Sequence, residues 1–320
     1  HRSVSELREE HGVDIVIVLS HLGFDKDKEL AETVSGIDVI LGGHTHHLLE
    51  SVIKHSDTYL AATGKFGEYV GEVLLTVENS TGRLLDVSGG CHRVAEAVPD
   101  ERVAQLLEEY GRQADRRLSQ EVIRLKRDLP LDWGGESPFG NLLADSLMDE
   151  MDVEVAVVNT GQLLEGLTSG TVTLQDLHHL CPSPINPCRI RLHGKHLRRA
   201  LEESLLAEFQ QLPIHGFGFR GKQLGSLAIA GMHVDYRPDA PPYEKINDIR
   251  IGTESLRDDQ VYRVGTIDMF TFGIGYRTLK KGYDVEFYLP DFLRDLLAKQ
   301  LQLAENIKQA YQTRWHRLTN

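Results

Sequence analysis

Two short apolar runs, each followed by a polar loop that carries histidine, constrain the fold of this chain more than any other feature. The first run, residues 14–19, reads DIVIVL and precedes Ser20-His21. The second run, residues 37–41, reads IDVIL and precedes Gly-Gly-His-Thr-His at 42–46. Such β-branched runs predict buried strands. The polar segment 25–34 between them predicts a helix, so the sequence indicates an α/β unit. The buried face of that helix would hold Leu30, Ala31 and Val34.

The histidines that follow these runs are candidate metal ligands. Open α/β sheets place their sites at the carboxyl ends of strands, where His21, His44 and His46 fall. In an extended or turning backbone, alternate side chains point the same way, so His44 and His46 would reach one ion or two adjacent ions. Gly42-Gly43 would let the backbone turn close to a ligand. Spacing alone leaves open that these are surface-loop residues of a chain with 15 histidines.

The two segments together resemble the last two metal-binding motifs of the calcineurin-like metallophosphoesterases. A strand followed by Ser-His-Leu-Gly and a strand followed by Gly-Gly-His-Thr-His occur in that order, with a helix between them. The similarity is greatest to the bacterial 5′-nucleotidase and UDP-sugar hydrolase group. This resemblance implies two divalent metal ions (zinc, manganese or similar), with His21 and His44 on one ion and His46 on the other. It also implies hydrolysis of phosphate esters by a metal-bound water.

The earlier motifs of that family do not precede these two segments in this chain. Asp-x-His, Gly-Asp-x-x-Asp and Gly-Asn-His-Asp/Glu would supply the remaining ligands and the catalytic histidine. The chain opens at His1 without methionine, in a helix-like segment that would precede the first strand. We therefore expect a fragment that lacks the N-terminal part of the catalytic domain and its catalytic histidine. Such a fragment should bind metal weakly and have little or no activity.

Composition argues against several classes of protein. With 35 basic and 48 acidic residues the formal net charge is −13, which argues against nucleic-acid binding driven by phosphate contacts. No apolar run reaches the length of a membrane span. Three cysteines, Cys91, Cys181 and Cys188, are too few for a disulfide scaffold. Cys181 and Cys188 could pair, but free thiols are favoured. Free thiols favour a cytoplasmic location, whereas members of the family are often periplasmic or on the cell surface.

The rest of the chain predicts a domain boundary near residue 98. Segments 58–63, 69–79 and 83–88 alternate as strands with turn residues between them, which indicates a meander. Pro99-Asp100 then begins an amphipathic helix. We predict an α/β (α+β) fold in three parts. These are the C-terminal part of a four-layer metallophosphoesterase domain over residues 1–98, a linker helix over 99–118, and a second α/β domain over 119–320.

Several segments of the last part resemble the C-terminal, substrate-specificity domain of 5′-nucleotidases. Residues 136–145, ESPFGNLLAD, are similar to the family's Glu-x-x-x-Gly-Asn-Leu-x-x-Asp, and residues 155–161 to its strand and Asn-x-Gly-Gly loop. Residues 170–203 follow the family's order of Val-Thr, helix, Pro-rich loop, strand, Gly-Lys and helix. The resemblance implies that the helix over 99–118 links two domains that rotate relative to each other. A packed helix without motion is the alternative.

The same comparison shows departures at positions that would bind the substrate. Leu164 stands in place of a nucleotide-binding arginine, and Trp133 in place of a second one. Pro184 and Asp268 stand about where two base-stacking aromatic residues would be. Arginine grips phosphate with a planar fork, and stacking contributes roughly 1–3 kcal/mol per base, so ordinary nucleoside monophosphates should bind poorly. The remaining substrate-binding candidates are Asn159, Gly161, Asn186, Trp133, Phe272 and Tyr276.

Two hypotheses about function remain. The first is a metal-dependent phosphoester hydrolase of the 5′-nucleotidase type, which acts on a nucleotide or a related small-molecule phosphate ester. The second is a non-catalytic ligand-binding or scaffold protein that retains the fold with a decayed nucleotide pocket. Carboxylates and a catalytic histidine in the complete sequence would favour the first hypothesis.

Overall fold

A computed structural model describes residues 1–319 of the chain. The contacts between Cα atoms divide it into two units. Among the described residues, the first comprises residues 1–105 and 215–217, and the second comprises residues 106–214 and 218–319. Both units mix helices and strands, as the sequence predicts. None of the helices within residues 1–319 is both long enough and apolar enough to cross a membrane.

The first unit contains a four-stranded sheet and a separate hairpin. Its strands are β1 (Ile17–Leu19), β2 (Val39–Leu41), β3 (Ile53–His55), β4 (Thr58–Ala61), β5 (Tyr69–Val77) and β6 (Leu84–Arg93). Its helices are α1 (Arg2–Ser5), which continues as a π-helical turn at Glu6–Glu10, and α2 (Phe24–Thr33), with a short 3₁₀ turn at Val94–Glu96. The sheet has the order β1-β2-β4-β3, in which β1, β2 and β4 run parallel and β3 runs antiparallel to β4.

The predicted strand–helix–strand unit forms around α2. Ala31 is buried in a small core, and Leu30 and Val34 pack against that core, so the predicted buried face of the helix is confirmed. The other fully enclosed members of the core are Ile37, Ile40 and Leu60. This packing fixes the ends of β1 and β2 next to each other, because the helix that joins them covers one face of both strands.

The prediction that both strands are buried is correct for β2 and wrong for β1. Val39 and Ile40 are fully buried, whereas Leu19 is 82% exposed and Ile17 is 48% exposed. β1 lies at the edge of the sheet, and its middle residue, Val18, packs against the core. Successive side chains of a strand point to opposite faces, so a strand with one covered face alternates in exposure. An unbroken apolar run does not reveal this.

The predicted meander over residues 58–88 is wrong in its first connection. β5 and β6 form the expected hairpin, with a register shift between Thr76 and Val77. However, β4 pairs with β2 and β3 instead of β5. Leu60 of β4 is buried in the core beneath α2, and its burial keeps this strand in the four-stranded sheet.

A long helix, α3 (Glu101–Leu118), begins where the sequence predicts it. The Asp100 carboxylate accepts the backbone N–H groups of Arg102 and Val103, both at 3.0 Å, and so caps the helix. The predicted apolar stripe on this helix is exposed, with Leu107 at 68% and Tyr110 at 67%. The two units divide within this helix, between residues 105 and 106. The boundaries at 98 and 118 therefore remain predictions.

The second unit is built on two sheets. Its strands are β7 (Glu121–Leu125), β8 (Val155–Asn159), β9 (Gly170–Thr173), β10 (Pro187–His193), β11 (Leu227–Ala230), β12 (Met232–Tyr236), β13 (Ile246–Ile251), β14 (Glu254–Ser255), β15 (Val261–Ile267), β16 (Tyr283–Phe287) and β17 (Trp315–Arg317). Its helices are α4 (Pro138–Met151), α5 (Leu174–Leu180), α6 (Gly194–Ser204), α7 (Ala207–Gln210), α8 (Asp268–Thr271), α9 (Leu293–Leu301) and α10 (Ala304–Gln309), with 3₁₀ turns at Thr160–Gln162 and Arg277–Lys281. The sheets have the orders β11-β8-β15-β10-β16 and β14-β13-β12-β17, and β7 pairs with β9.

The core of the second unit lies between α4 and the five-stranded sheet. Helix α4 begins at Pro138, and its residues from Phe139 to Leu147 are all buried. It packs against β8, β11, β15 and α9. Every residue of β8 is buried, as its unbroken apolar run predicts. This strand runs parallel to β15 and antiparallel to β11, so the carboxyl ends of β8 and β15 meet at one edge of the sheet.

The family-like motif at 136–145 anchors the end of the chain. The Glu136 carboxylate accepts the backbone N–H of Arg314 at 2.7 Å and the Asn141 side-chain N–H at 3.1 Å. The buried Arg314 guanidinium donates to Asp145 Oδ2 at 2.7 Å and to the Ile229 carbonyl at 2.5 Å. These bonds place β17 beside β12.

All three cysteines are free thiols, as the sequence favours. Cys181 and Cys188 are both buried. Burial raises the pKa of the Cys181 thiol to about 12, so this group stays protonated at neutral pH.

Candidate functional site

Two of the three predicted metal ligands meet at the carboxyl ends of β1 and β2. The Ser20 N–H donates to the Leu41 carbonyl at 2.9 Å, which extends the pairing of the strands up to the two histidine loops. The imidazole rings of His21 and His44 then lie 5.0 Å apart between centroids, with their planes at 66°. His21 is exposed and His44 is half-buried. The convergence of these two rings was the expectation from sequence.

The loop that carries His44 is strained and held in place by its neighbours. His44 and His46 have φ angles of 60° and 55°, a region that side chains other than glycine seldom adopt. Each such residue costs about 1–3 kcal/mol, and such strain is concentrated at functional sites. The hydroxyl of Thr45, between the two, accepts the Phe24 N–H at 3.0 Å and lies 2.9 Å from Nδ1 of His47. The loop is therefore attached to the first turn of α2.

Gly42 and Gly43, which precede His44, allow close packing of the loop against its neighbours. They do not make the backbone turn for which the sequence suggested them. The left-handed φ angles in this loop belong to the histidines. A Cβ on Gly42 would lie 2.6 Å from a carboxylate oxygen of buried Asp27, and a Cβ on Gly43 would lie 3.3 Å from Nδ1 of His21. Asp27 in turn accepts a short hydrogen bond from the Ser20 hydroxyl. Glycine leaves room here for the loop to pass close to Asp27 of α2 and to the first histidine.

These residues do not by themselves fit a two-metal centre. Within residues 1–319 there is no group of three or more His, Cys, Asp or Glu side chains placed to hold a metal ion, so exposed His46 does not complete a three-histidine site with His21 and His44. Zinc takes about four ligands, and two imidazoles leave a coordination sphere open. The assignment of His21, His44 and His46 as metal ligands remains a prediction, for which the paired rings are the structural support.

The candidates at and just after the end of β8 are buried in the second unit. Asn159 is fully buried, donates to the Leu224 carbonyl at 2.7 Å and accepts from the Gln162 side chain at 3.0 Å. A Cβ on Gly161 would lie 2.0 Å from the Gln223 carbonyl oxygen, so this position requires glycine. Both residues hold the loop against the segment before β11.

Two aromatic residues predicted to contact the substrate, Trp133 and Tyr276, instead form hydrogen bonds within the second unit. Trp133 is half-buried and donates its indole N–H to the Leu163 carbonyl at 2.8 Å. Tyr276 is fully buried, stacks on Phe209 at 5.8 Å and donates its hydroxyl to the Gly225 carbonyl at 2.6 Å. Burial raises the pKa of the Tyr276 hydroxyl, so it stays protonated. These placements favour structural roles, and a substrate role remains a prediction.

The third group of candidates lies where β15 ends and β10 begins. Asn186 donates its side-chain N–H to the Asp291 carbonyl at 3.0 Å and its backbone N–H to Asp268 Oδ2 at 3.3 Å. The other oxygen of Asp268 is buried without a hydrogen-bond partner among the described residues. Burial raises the pKa of Asp268, while the backbone N–H groups of Asn186 and Met269 oppose that rise. Phe272, at 56% exposed, is the predicted aromatic that remains open to a ligand.

The residues that position the histidine loops were not predicted from the sequence. Thr45 and Asp27 make the contacts that fix the loop, and neither was a candidate. One signal was available: a carboxylate in the first turn of a predicted helix, a few residues after a glycine, commonly makes capping or tertiary contacts. The sequence did not indicate that Asp27 would be buried.

The chain is similar to known proteins over most of its length. The family model for the 5′-nucleotidase C-terminal domain matches residues 117–281. An uncharacterized metallophosphoesterase of Bacillus subtilis strain 168, YunD, is 36% identical over 289 residues. The match covers 90% of this chain and 63% of that protein, so the chain spans less than two thirds of this relative's length.

Solved structures agree with the fold. A 5′-nucleotidase precursor from Thermus thermophilus has a TM-score of 0.55 at 23% identity, over 100% of this chain and 66% of that chain. A Staphylococcus aureus protein described as a 5′-nucleotidase, solved in complex with alpha-ketoglutarate, has a TM-score of 0.73 at 20% identity, over 99% of this chain and 66% of that chain. At such identities the likeness concerns the fold alone, and it confirms the predicted α/β class.

Proposed function

This chain belongs to the family defined by the 5′-nucleotidase C-terminal domain, and on that premise we propose that the protein is a metal-dependent phosphoester hydrolase. We propose a nucleotide or a related phosphate ester as its substrate. The similarity to a metallophosphoesterase supports the reaction class, because proteins of that class use divalent metal ions.

The observation that carries the proposal is the pairing of His21 and His44. They follow two adjacent parallel strands, and their rings lie 5.0 Å apart at the edge of the sheet where α/β proteins place their sites. The strained loop around His44 adds support, because the fold maintains an unfavourable backbone there. In this proposal both rings would act as neutral ligands, and a divalent ion would supply a more acidic bound water.

The second unit supports a substrate other than an ordinary nucleoside monophosphate. Leu164 offers no charge to a phosphate, and Asp268 places a carboxyl group about where the family resemblance puts a stacking aromatic. Asn159 and Tyr276 have their polar groups bonded to the backbone. Phe272 would then be the main stacking surface, which favours a substrate recognised by fewer contacts to its base.

A non-catalytic ligand-binding protein is the second candidate, and one specific observation favours it. The described residues contain no cluster of three or more potential metal ligands, and two imidazoles alone bind metal weakly. A protein that retains the fold without a complete ligand set would bind its ligand and release no phosphate.

Phosphate release distinguishes the two candidates. The chain would be incubated with Mn²⁺ and, in turn, AMP, a dinucleotide and a sugar nucleotide, and inorganic phosphate would be measured against time. We expect slow, Mn²⁺-dependent release that His44→Ala abolishes. His92→Ala is the matched control, because His92 is an exposed histidine on β6 in the hairpin of the same unit. Release that survives His44→Ala would remove the metal assignment, and no release with intact ligand binding would favour the non-catalytic protein.

A further inference from the structure

A groove on the second unit brings together side chains that neither the predicted sites nor the proposed function uses. It lies between the C-terminal half of α3, the helix α5 and the start of α9. Its volume is about 600 Å³, within the range of small-molecule sites. All of its lining residues belong to the second unit. We call it the α3–α5–α9 groove.

Two arginines of this groove have no acidic partner. Arg117 of α3 and Arg294 of α9 both line it, and neither forms an ion pair with any residue in 1–319. Arg294 instead lies over the Phe292 ring, 4.6 Å from its centroid. By contrast, Arg198 and Arg314 of the same unit pair with Asp258 and Asp145. In a chain with a net charge of −13, two unpaired guanidinium groups at one groove are a local concentration of positive charge.

The other titratable groups of the groove leave this positive charge in place. Asp295 is the acidic residue that lines it, and its carboxylate accepts the Phe292 backbone N–H at 2.8 Å. Burial, and then Arg294 and Arg117, lower the pKa of His178, while Asp295 opposes them. At neutral pH the His178 ring is therefore neutral and has one N–H to donate. The groove therefore carries two positive charges and one negative charge, and the negative charge is on a carboxylate that already accepts a hydrogen bond.

The remaining walls of the groove are apolar. Leu177 is buried and Leu174 is half-buried on α5, and Leu118 closes the end of α3. Tyr110 presents its ring from α3 and is 67% exposed. An inorganic anion would leave these surfaces unused. A ligand with an aromatic or apolar body attached to its anionic group would cover them.

We propose that the α3–α5–α9 groove binds a small organic phosphate, with its phosphoryl oxygens on Arg117 and Arg294 and its apolar body against Tyr110 and the leucines of α5. Guanidinium groups present planar forks of N–H donors that match phosphate oxygens, and such charge-assisted hydrogen bonds are about twice as strong as neutral ones. The His178 N–H would complete the set of donors.

Phenylphosphonate is a suitable probe, because it combines a ring with three oxygens on phosphorus and cannot be hydrolysed. Binding to the chain would be measured by calorimetry at constant ionic strength with EDTA present, so that metal does not contribute. We expect saturable one-to-one binding. Arg117→Gln and Arg294→Gln should each weaken it by at least about tenfold. Methylphosphonate, which lacks the ring, should bind about fivefold more weakly than phenylphosphonate.

Arg116→Gln is the matched control. Arg116 is the exposed neighbour of Arg117 on α3 and does not line the groove. Its substitution by glutamine removes the same charge as Arg117→Gln. We expect less than about a twofold change for this variant. Equal weakening by Arg116→Gln and Arg117→Gln would mean non-specific attraction and would overturn the proposal, as would no saturable binding. Equal affinity for the two phosphonates would overturn the proposal that the groove binds the apolar body of the ligand, and would leave a site for the anionic group alone.

Discussion

The segments that follow β2 and β8 both carry polar candidate residues, but they differ in how far those residues are buried. In the first unit, the loop after β2 leaves His46 exposed and His44 half-buried, and both have a left-handed backbone. In the second unit, Asn159 at the end of β8 and Gln162 in the turn that follows are both buried. They bond to each other, and Asn159 also bonds to the Leu224 carbonyl. The histidines of the first loop lie at or near the surface of their unit, whereas Asn159 and Gln162 bond within the fold of theirs.

The difference follows from the size of the core behind each loop. The first unit has a small core beneath α2, so its loop lies near solvent. The second unit has an extensive core that includes α4, α9 and both sheets, and a loop pressed against it must satisfy its polar groups internally. A polar residue after a strand therefore indicates a ligand site only when the tertiary structure leaves it open.

Asn159→Ala gives the largest expected effect. The substitution leaves the buried Gln162 side-chain N–H without its partner and removes one of the two hydrogen bonds that the Leu224 carbonyl accepts, the other coming from the Gly161 N–H. We expect the free energy of unfolding to fall by about 2 kcal/mol. Urea unfolding at neutral pH measures it. Phe272→Ala is the matched control from an exposed candidate and should change stability by less than about 0.5 kcal/mol. If both variants unfold like the wild type, the loop after β8 is not the structural element described above.

His44→Gly should raise the free energy of unfolding, whereas Asn159→Ala should lower it. Glycine relieves the left-handed backbone at this position, so we expect the free energy of unfolding to rise by about 1 kcal/mol, while binding of Zn²⁺ or Mn²⁺ falls. Thermal unfolding and calorimetric metal titration would give the two values. His92→Gly, on the regular strand β6, should instead lose about 0.5–1 kcal/mol. A loss of stability in both variants would show that His44 is not held under strain.

Asp268→Asn should have the smallest effect of the three substitutions. We expect it to change how the free energy of unfolding depends on pH. Burial raises the pKa of Asp268 in the folded protein. A raised pKa stabilises the fold fully below the unfolded value, and this contribution is lost as the pH rises through the folded pKa. The wild type should therefore lose stability from this group as the pH rises from about 4 towards neutral, and Asp268→Asn should remove that part of the slope. Unfolding free energies at several pH values test this.

The exposed Asp239 supplies the control for that measurement. Asp239→Asn removes one exposed carboxyl group of the same unit, and we expect it to change the slope less than Asp268→Asn does. A slope that Asp239→Asn alters as much as Asp268→Asn would mean that general charge, and not the buried carboxyl group, sets the pH dependence.

Much of the fold follows from local patterns. The predicted helix around Ala31, the cap at Asp100 and the buried strand at 155–159 are all present, because helical spacing, capping residues and apolar runs act over a few residues. The burial of β1 and the pairing of β4 were predicted wrongly. Both depend on which strand lies next to which in the sheet, and residues far apart in sequence decide that.

The sequence by itself determined that two histidine loops would follow two parallel strands, because short apolar runs joined by a helix leave few other arrangements. The tertiary structure alone decided that Asn159 and Tyr276 would be enclosed, that Arg314 would hold β17 in place, and that Arg117, His178 and Arg294 would share a groove. Exposure, pairing of charges and burial arise from contacts between distant segments. No local pattern of residues encodes them.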